Sequence, residues 1–299
     1  MTDSPDFAGA CAAKGVPLWR VEDGFLRSVG LGSDLLAPGS LVLDDQGLYY
    51  DARSPSRLEN ILQETEFTAA LIDRARLLRE RIVAQALTKY NLGGPPADLR
   101  EQAGGRPVLL VVEQVPSDAA LRFGGGDVEG NLGLLESVRR ENPGAFIAYK
   151  EHPDLVARNR RGRLSASVLL HLADVIVSTG DMQRLYEQVD ELHCSSSLAG
   201  FEALLRGVRV CVWGRPFYAG WNLTQDRQVM PRRSRVLGLD ELVAGALLLY
   251  PRYADPLTGV PCSAEDFLDA IAILRQMSAS SSRIPVWQRQ LQRLFRKFS

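Results

Sequence analysis

Apolar and polar positions change period repeatedly along the second two thirds of the chain. The runs VLLVVEQ, AFIAYK and VRVCVWG are short and apolar, which predicts buried strands. The segments VEGNLGLLESVRREN and SSSLAGFEALLRG carry apolar residues at helical intervals. Strands that alternate with helices are typical of a parallel sheet with right-handed crossovers. The pattern therefore predicts an α/β protein with a Rossmann-type arrangement in this part of the chain.

The first hundred residues follow a different pattern. Two strand-like runs, VPLWRVE and SLVLDDQGLYYD, surround a glycine-punctuated segment at residues 24–39. Residues 55–90 predict one or two helices, and the Gly/Pro-rich stretch after them is typical of an interdomain linker. We therefore predict an α/β lobe over residues 1–100, a Rossmann-like lobe over 101–262, and helices over 263–299 that cross back or lie at the periphery.

Composition and charge narrow the classes of partner. The chain has 35 Lys and Arg against 36 Asp and Glu, so its formal net charge of -1 gives no overall attraction for nucleic acid. The four cysteines are far apart and match neither a zinc site nor a disulfide framework. A nucleotide would have to be held by a local site, and the thiols are expected to be reduced, as in the cytoplasm.

Membrane association, if present, is predicted to be peripheral. The N-terminus lacks the basic start and apolar core of a secretory signal, and no run approaches the roughly 20 apolar residues that span a bilayer. The C-terminal run PVWQRQLQRLFRKFS spaces Trp287, Leu291 and Leu294 as on one helical face, with basic residues between them. It fits an interfacial helix and equally a terminal helix that docks on the protein's own surface.

Polar residues gather where the predicted parallel strands end, which is where such sheets bind ligands. Ser196 and Ser197 precede a helical pattern, and a helix N-terminus binds phosphate through unpaired N–H groups, although serine also caps helices without any ligand. Glu202, one turn further on, suits a ribose hydroxyl or a plain helix face. Lys150 and His152 stand at the end of the strand that begins AFIAYK, where alternation places them on the same face, and a cation beside an imidazole suits a leaving phosphate.

Two further segments carry candidate chemistry. Asp118 follows the strand that delivers Gln114, and its carboxylate suits a general base or a nucleophile, whereas an Asx turn or helix cap is the commoner use. Glu22 precedes a glycine-rich loop, and its neighbours Asp23 and Arg27 suit recognition of a polyhydroxylated, carboxylated acceptor or a solvated turn.

The segment GRPFYAGWNLTQD concentrates aromatic residues among small ones. Tyr218 and Trp221 within it suit stacking on a sugar or base, or packing beneath a loop. Glycines 124–126 match neither a Walker loop nor a dinucleotide fingerprint, so they predict flexibility alone.

Taken in order, the segments EDGFLRSVGLGSD, LVLDDQGLYYDARSPSRLE, KEHPD, SSLAGFEALLRG, GRPFYAGWNLTQD and YPRYADPLTG resemble the capsule-polysaccharide β-Kdo transferases of the KpsC/LipB type. The resemblance runs from about Trp19 to about Pro261. It implies a GT-B-like fold of two Rossmann-type lobes, the first incomplete, with the nucleotide site in the cleft. It also implies CMP-Kdo as donor substrate, no cofactor, and retention of β configuration. The acceptor would be a (lyso)phosphatidylglycerol-linked Kdo oligosaccharide, extended at the cytoplasmic face before capsule polysaccharide transport.

The resemblance also implies roles for the candidate residues. Asp118 matches the catalytic aspartate, thought to be the nucleophile, and Glu22 is a candidate for acid/base chemistry or acceptor contact. The donor-binding set is Gln114, Lys150, His152, Ser196, Ser197 and Glu202. The acceptor-binding set is Asp23, Arg27, Tyr218 and Trp221. No metal is expected, because no Asp-x-Asp pair sits at a predicted strand end.

Two departures from the family pattern leave other functions open. Family modules carry another strand-and-helix unit before VPLWRVEDG, and relatives often hold two modules in tandem. A degenerate module that binds nucleotide or glycolipid for a partner is therefore an alternative. A nucleotide-sugar epimerase, or another relative that does not transfer, is a third hypothesis.

Overall fold

Two sheets organise the chain in a computed structural model that describes residues 5–26, 39–88, 98–156 and 164–280. The strands are β1 Arg20–Asp23, β2 Ser40–Asp44, β3 Val108–Val112, β4 Phe146–Lys150, β5 Val175–Val177, β6 Glu191–Cys194, β7 Arg209–Val212, β8 Gln225–Asp226, β9 Pro251–Ala254 and β10 Pro261–Cys262. The helices are α1 Pro5–Ala13, α2 Arg57–Glu64, α3 Ala69–Ala84, α4 Leu99–Ala103, α5 Ala119–Gly124, α6 Gly130–Glu141, α7 Pro153–Val156, α8 Ala166–Leu169, α9 Met182–Tyr186, α10 Leu198–Leu205, α11 Leu239–Val243 and α12 Ala264–Ser280. A π-helical segment, Ala244–Leu249, continues α11.

The larger sheet is parallel throughout, with the strand order β5-β4-β3-β6-β7-β8. The predicted parallel sheet is thus confirmed. Counted from β3 in chain order, the strands are arranged 3-2-1-4-5-6, the order of the doubly wound nucleotide-binding fold. The order reverses between β3 and β6, so a crevice is expected beyond the carboxyl ends of these two strands.

Alternation along β3 explains why the whole run VLLVV is apolar. Leu110 and Val112 pack into one core cluster, whereas Leu109 and Val111 pack into another on the opposite face. Helix α10 contributes Phe201 to the first cluster, and α6 covers the second. A parallel strand buried on both faces needs apolar residues at every position, so no polar alternation is left to see.

The smaller sheet has the order β1-β2-β9-β10 and is antiparallel. Strand β2 alternates, with Val42 fully buried and Leu41 and Leu43 exposed on the other face. The described residues of this part therefore differ from the predicted Rossmann-type lobe, whose sheet would be parallel. The difference arises because β9 and β10, within the range assigned to the second lobe, return to pair beside β2. The GT-B-like arrangement and the lobe boundaries stay predictions.

Side-chain caps fix where the helices beside the smaller sheet begin. Ser56 caps α2 by accepting a hydrogen bond from the backbone N–H of Glu59, and Thr68 caps α3 in the same way. Helix α12 packs against α3 and β9, where Phe267 meets Tyr253. No helix in the described ranges is long and apolar enough to cross a bilayer.

Candidate active site in the crevice

A cavity of about 510 Å³ lies beyond the carboxyl ends of β3, β4, β5 and β6, facing the end of β1 and the loop after β2. This is the switch point that the strand order predicts, and the volume suits a nucleotide-sized ligand. Nine residues predicted from the sequence line it, namely Glu22, Asp23, Gln114, Asp118, Lys150, His152, Ser196, Ser197 and Glu202. Their convergence is now observed, while the role of each stays a prediction.

Gln114 links the carboxyl ends of β3 and β6, the two strands at the switch point. Its side-chain oxygen accepts from the backbone N–H of Ser196 at 2.8 Å, and its amide nitrogen donates to Ser196 Oγ at 3.2 Å. Asn131 from α6 pairs with both backbone groups of Gln114, at 3.0 and 2.8 Å. Ser196 Oγ also donates to the carbonyl of Ala120. These polar groups hold the floor of the cavity in place, so Ser196 contributes mainly to its shape.

Ser197 begins helix α10 and caps it. Its hydroxyl accepts from the backbone N–H of Ala199 at 3.2 Å, as the capping alternative required. Tyr218 supports the same turn from below, since its hydroxyl donates to the carbonyl of Ser197 at 2.5 Å. Gly200 allows this contact, because a Cβ there would overlap the Tyr218 hydroxyl. The helix start is thus presented to the cavity by packing beneath it.

Lys150 is a buried cation at the cavity wall. Its ammonium donates to the carbonyl oxygens of Glu151 at 2.9 Å and Ser178 at 3.4 Å, and no carboxylate of the described residues pairs with it. Burial lowers the pKa of Lys150 to about 8, partly offset by the carboxylates of Glu151 and Glu113. An anion bound beside it would relieve the cost of this desolvated charge, as a phosphate does.

His152 is oriented by groups on two sides. Its backbone N–H donates to Glu113 Oε2 at 2.9 Å, and its ring Nδ1 accepts from the backbone N–H of Asp154 at 3.2 Å. A neutral ring that accepts at Nδ1 carries its proton on Nε2, so it acts as a donor. Glu113 Oε1 accepts from Tyr149 Oη at 3.0 Å. Glu113 is therefore a buried anchor for the turn that carries His152.

Asp118 both caps helix α5 and faces the cavity. Its Oδ1 accepts from the backbone N–H of Ala120 at 3.0 Å, and the side chain is exposed. The Asx-type cap and the catalytic role, which the sequence left as alternatives, are compatible. One oxygen fixes the carboxylate, and Oδ2 has no hydrogen-bond partner among the described residues.

Tyr49 lines the same cavity as Asp118 and was not predicted as a site residue. Its ring packs against Phe25, with centroids 4.7 Å apart, and it lines the cavity. Burial raises the pKa of Tyr49 well above its usual value, and the nearby charges of Glu22 and Asp118 raise it further. The hydroxyl therefore stays protonated, close to the negative charges of Glu22, Asp118 and Asp23. The only sequence signal was its place in GLYYD, at the end of a predicted strand-like run.

Glu202 lies on α10 at the cavity wall. Its Oε2 accepts from Tyr186 Oη at 3.0 Å, and the residue is 9% exposed. A carboxylate held in this way accepts hydrogen bonds from hydroxyl or amino groups of a ligand.

Two predicted acceptor contacts are wrong. Tyr218 and Trp221 have no exposed surface, so neither ring can stack on a ligand. Trp221 Nε1 donates to the carbonyl of Phe217 at 2.8 Å, and it is Phe217 that lines the cavity. Both rings instead pack beneath their loop, which was the alternative interpretation of this segment. Arg27 lies outside the described residues.

The charged groups of the cavity are unevenly distributed. Six carboxylates line it, from Glu22, Asp23, Glu113, Asp118, Glu151 and Glu202, against the single lysine Lys150 and the histidine His152 among the described residues. Among the described lining residues, the side chains that complement anionic parts of a ligand are therefore those of Lys150 and His152. Carboxylates elsewhere complement hydroxyl groups, so the cavity suits a ligand that is both phosphorylated and polyhydroxylated.

The fold and the cavity together define an α/β protein with a ligand site at the switch point of a doubly wound sheet. The family model described as "Capsule polysaccharide biosynthesis protein" matches residues 6–253. The chain belongs to this family.

Curated relatives are longer than this chain. The capsule polysaccharide modification protein LipA of Neisseria meningitidis serogroup A is 46% identical over 250 residues, which cover 84% of this chain and 35% of LipA. The lipopolysaccharide-processing protein LpsZ of Rhizobium meliloti is 40% identical over 260 residues, covering 86% of this chain and 59% of LpsZ. The chain thus spans about a third of LipA and three fifths of LpsZ.

Two solved structures from Thermosulfurimonas dismutans are similar over most of their length. The KpsC β-Kdo 2,4 transferase has a TM-score of 0.78 at 35% identity, covering 89% of this chain and 82% of that one. The KpsC β-Kdo 2,7 transferase has a TM-score of 0.74 at 36% identity, covering 92% and 91%. The resemblance to KpsC-type proteins, predicted from ordered segments, is confirmed.

Proposed function

We propose that this chain is a retaining β-Kdo glycosyltransferase of capsular polysaccharide biosynthesis. It would move Kdo from CMP-Kdo onto a (lyso)phosphatidylglycerol-linked Kdo oligosaccharide. Similarity to the two Kdo transferases supports the reaction class. The observation that carries the proposal is the placement of an accessible carboxylate, Asp118, and a buried cation, Lys150, on one cavity. The Lys150 ammonium donates to carbonyl oxygens and forms an ion pair with no carboxylate of the described residues.

Retention follows from two displacements at the anomeric carbon. In the first, the Asp118 carboxylate forms a bond to that carbon while the bond to the phosphate oxygen breaks, and CMP leaves with the electron pair. In the second, an acceptor hydroxyl attacks the same carbon, the bond to Asp118 breaks, and the hydroxyl proton passes to a base. Glu22, on the opposite wall, is the proposed base.

Donor binding in this proposal uses the cationic part of the cavity. Lys150 and the Nε2 proton of His152 stabilise the negative charge that develops on the leaving phosphate. Glu202 accepts from the ribose hydroxyls or the cytosine amino group. Asp23 belongs to the acceptor side, together with Glu22.

The discriminating variant is Asp118→Asn, because asparagine is also a good helix cap and has nearly the same volume. We expect Asp118→Asn to lose transfer from CMP-Kdo to a Kdo-terminated lipid by about three orders of magnitude while it still binds CMP. Asp127→Asn, an exposed aspartate outside the cavity, is the matched control and should retain activity. Full transfer by Asp118→Asn would refute the assigned nucleophile.

The same assay separates the alternative functions. A degenerate binding module would bind CMP and give no transfer with the native chain. An epimerase or other non-transferring enzyme would consume CMP-Kdo equally well with and without the lipid acceptor. Acceptor-dependent release of CMP supports the transferase.

A further inference from the structure

One face of the smaller sheet is only partly covered by the described residues. On that face Leu41 and Leu43 are 37% and 38% exposed, and Trp19 beside them is 49% exposed. Antiparallel register places Arg252 of β9 directly beside Leu41. We call the surface formed by Trp19, Leu41, Leu43, Arg57 and Arg252 the outer face.

Two grooves on the outer face share Leu43 and Arg252. One is also lined by Trp19 and Arg57, and the other by Leu41 and Arg74. No carboxylate among the described residues lines either groove. This contrasts with the cavity, which carries six carboxylates, and with the net charge of -1 of the whole chain.

Two arginines of the outer face are not neutralised within the described structure. Arg74 forms an ion pair with Glu265 at 2.8 Å, as most of the arginines in the described ranges do with some carboxylate. Arg252 by contrast donates only to the neighbouring carbonyl of Pro251, at 3.5 Å. Arg57 uses its backbone N–H to bind Asp44, and its guanidinium pairs with no carboxylate of the described residues. The outer face thus combines exposed apolar side chains with uncompensated positive charge.

We propose that the outer face binds the surface of a bilayer that contains anionic lipids. Guanidinium groups pair with lipid phosphates, and Trp and Leu side chains enter the boundary between headgroups and acyl chains. Strand β1 runs from beside Trp19 to Asp23 at the cavity, a distance of about 13 Å for four residues. The bound membrane would therefore lie close to the cavity. The binding does not depend on the proposed transfer reaction.

Vesicle binding in the absence of donor and acceptor tests this proposal. The native chain should float with vesicles of phosphatidylcholine containing about one third phosphatidylserine, and binding should weaken at high salt. Phosphatidylserine is chosen because the proposed acceptor is built on phosphatidylglycerol, and binding of that lipid in the cavity would confound the measurement. Equal binding to pure phosphatidylcholine, or no binding to either vesicle, would overturn the proposal.

Charge variants locate the surface. Arg57→Gln/Arg252→Gln should lower the vesicle partition coefficient by about 30-fold. Arg184→Gln/Arg209→Gln removes two exposed arginines from the part of the chain that forms the larger sheet. This control should change the partition coefficient far less. If the basic C-terminal run carried the binding instead, both double variants would bind alike, and the proposal would be wrong.

Apolar variants give a second, independent arm. Trp19→Ser/Leu43→Ser should also release the protein from vesicles, whereas Val229→Ser/Val236→Ser, at positions 80% and 70% exposed, should not. Fluorescence of Trp19 should shift to shorter wavelength on binding. If the native chain ignores vesicles but self-associates, and Trp19→Ser/Leu43→Ser abolishes that association, the outer face is a protein interface and the lipid proposal fails.

Discussion

Lys150 shows at the scale of one residue how burial prepares a site for an anion. The residue is 7% exposed, its ammonium donates only to carbonyl oxygens among the described residues, and its pKa is lowered to about 8. The unfolded chain keeps this proton up to the usual lysine range, so between about pH 8 and that range the unfolded state binds more protons. This group therefore makes stability rise with pH in that window. The charged form needed for phosphate binding is thus held at a cost to stability.

The pH dependence of CMP affinity tests this account. Since Lys150 loses its charge above about pH 8, affinity should fall about tenfold between about pH 7 and pH 9. Lys150→Met should bind CMP weakly and show no such fall over the same range. Isothermal titration at several pH values measures both. A native affinity that does not change with pH would contradict the role given to Lys150.

At the scale of the element, helix α10 depends on a glycine in its interior. A Cβ at Gly200 would overlap the Tyr218 hydroxyl and come within 3.0 Å of Cys194 Sγ, both fully buried. Helix propensity alone favours alanine over glycine by about 1 kcal/mol, but overpacking of a rigid core costs about 1–3 kcal/mol. Packing therefore decides whether replacement of Gly200 by alanine stabilises or destabilises the protein.

Gly200→Ala should destabilise the protein by about 1–2 kcal/mol and weaken CMP binding, because the start of α10 at Ser197 must shift. Gly133→Ala in α6 is the matched control, since a Cβ there meets nothing closer than 3.8 Å. That control should stabilise the protein by about 0.5–1 kcal/mol. Denaturant unfolding measures both changes, and a stabilising Gly200→Ala would show that Tyr218 can move away.

The glycines at the end of α5 and directly after it are also set by packing. The sequence assigned residues 124–126 to flexibility, but a Cβ at Gly126 would overlap the carbonyl oxygen of Trp213, and one at Gly124 would lie 2.8 Å from that of Tyr50. The carbonyl of Gly124 also accepts from the backbone N–H of Arg215 at 2.6 Å. These glycines permit close backbone approach.

At the scale of the whole molecule, one core joins the two sheets. Phe25, beside β1, stacks on Phe217 of the second half with centroids 4.3 Å apart, and Tyr250 donates to the buried carboxylate of Asp44 at 2.8 Å. Glu59 of α2 forms ion pairs with Arg232 and Arg233, which lie far from it along the chain. Unfolding of either sheet would therefore expose core residues of the other.

We therefore expect a single cooperative unfolding transition. Circular dichroism, which reports on both sheets, and fluorescence of the buried Trp213 and Trp221 should give coincident midpoints. Phe25→Ala should lower the free energy of unfolding by about 3–4 kcal/mol, and both midpoints should fall together. Two separated transitions would instead show that the sheets fold as independent units.

The sequence alone determined the features that depend on near neighbours. Apolar runs such as VLLVV marked buried strands, and polar residues that follow them, such as Gln114, Lys150 and Ser196, marked the ligand edge of a parallel sheet. Both inferences work because strand period and strand ends are local properties, and parallel strands bring their carboxyl ends to one edge.

Only the tertiary structure decided what depends on distant parts of the chain. It placed β9 and β10 beside β2, buried Tyr218 and Trp221, and made Glu113 an anchor for His152. It also brought Tyr49 to the cavity, close to the charges of Glu22 and Asp118. An aromatic ring or a carboxylate has the same local pattern whether it is packed or presented to a ligand. Which of the two occurs is set by long-range packing, which the order of residues along the chain does not display.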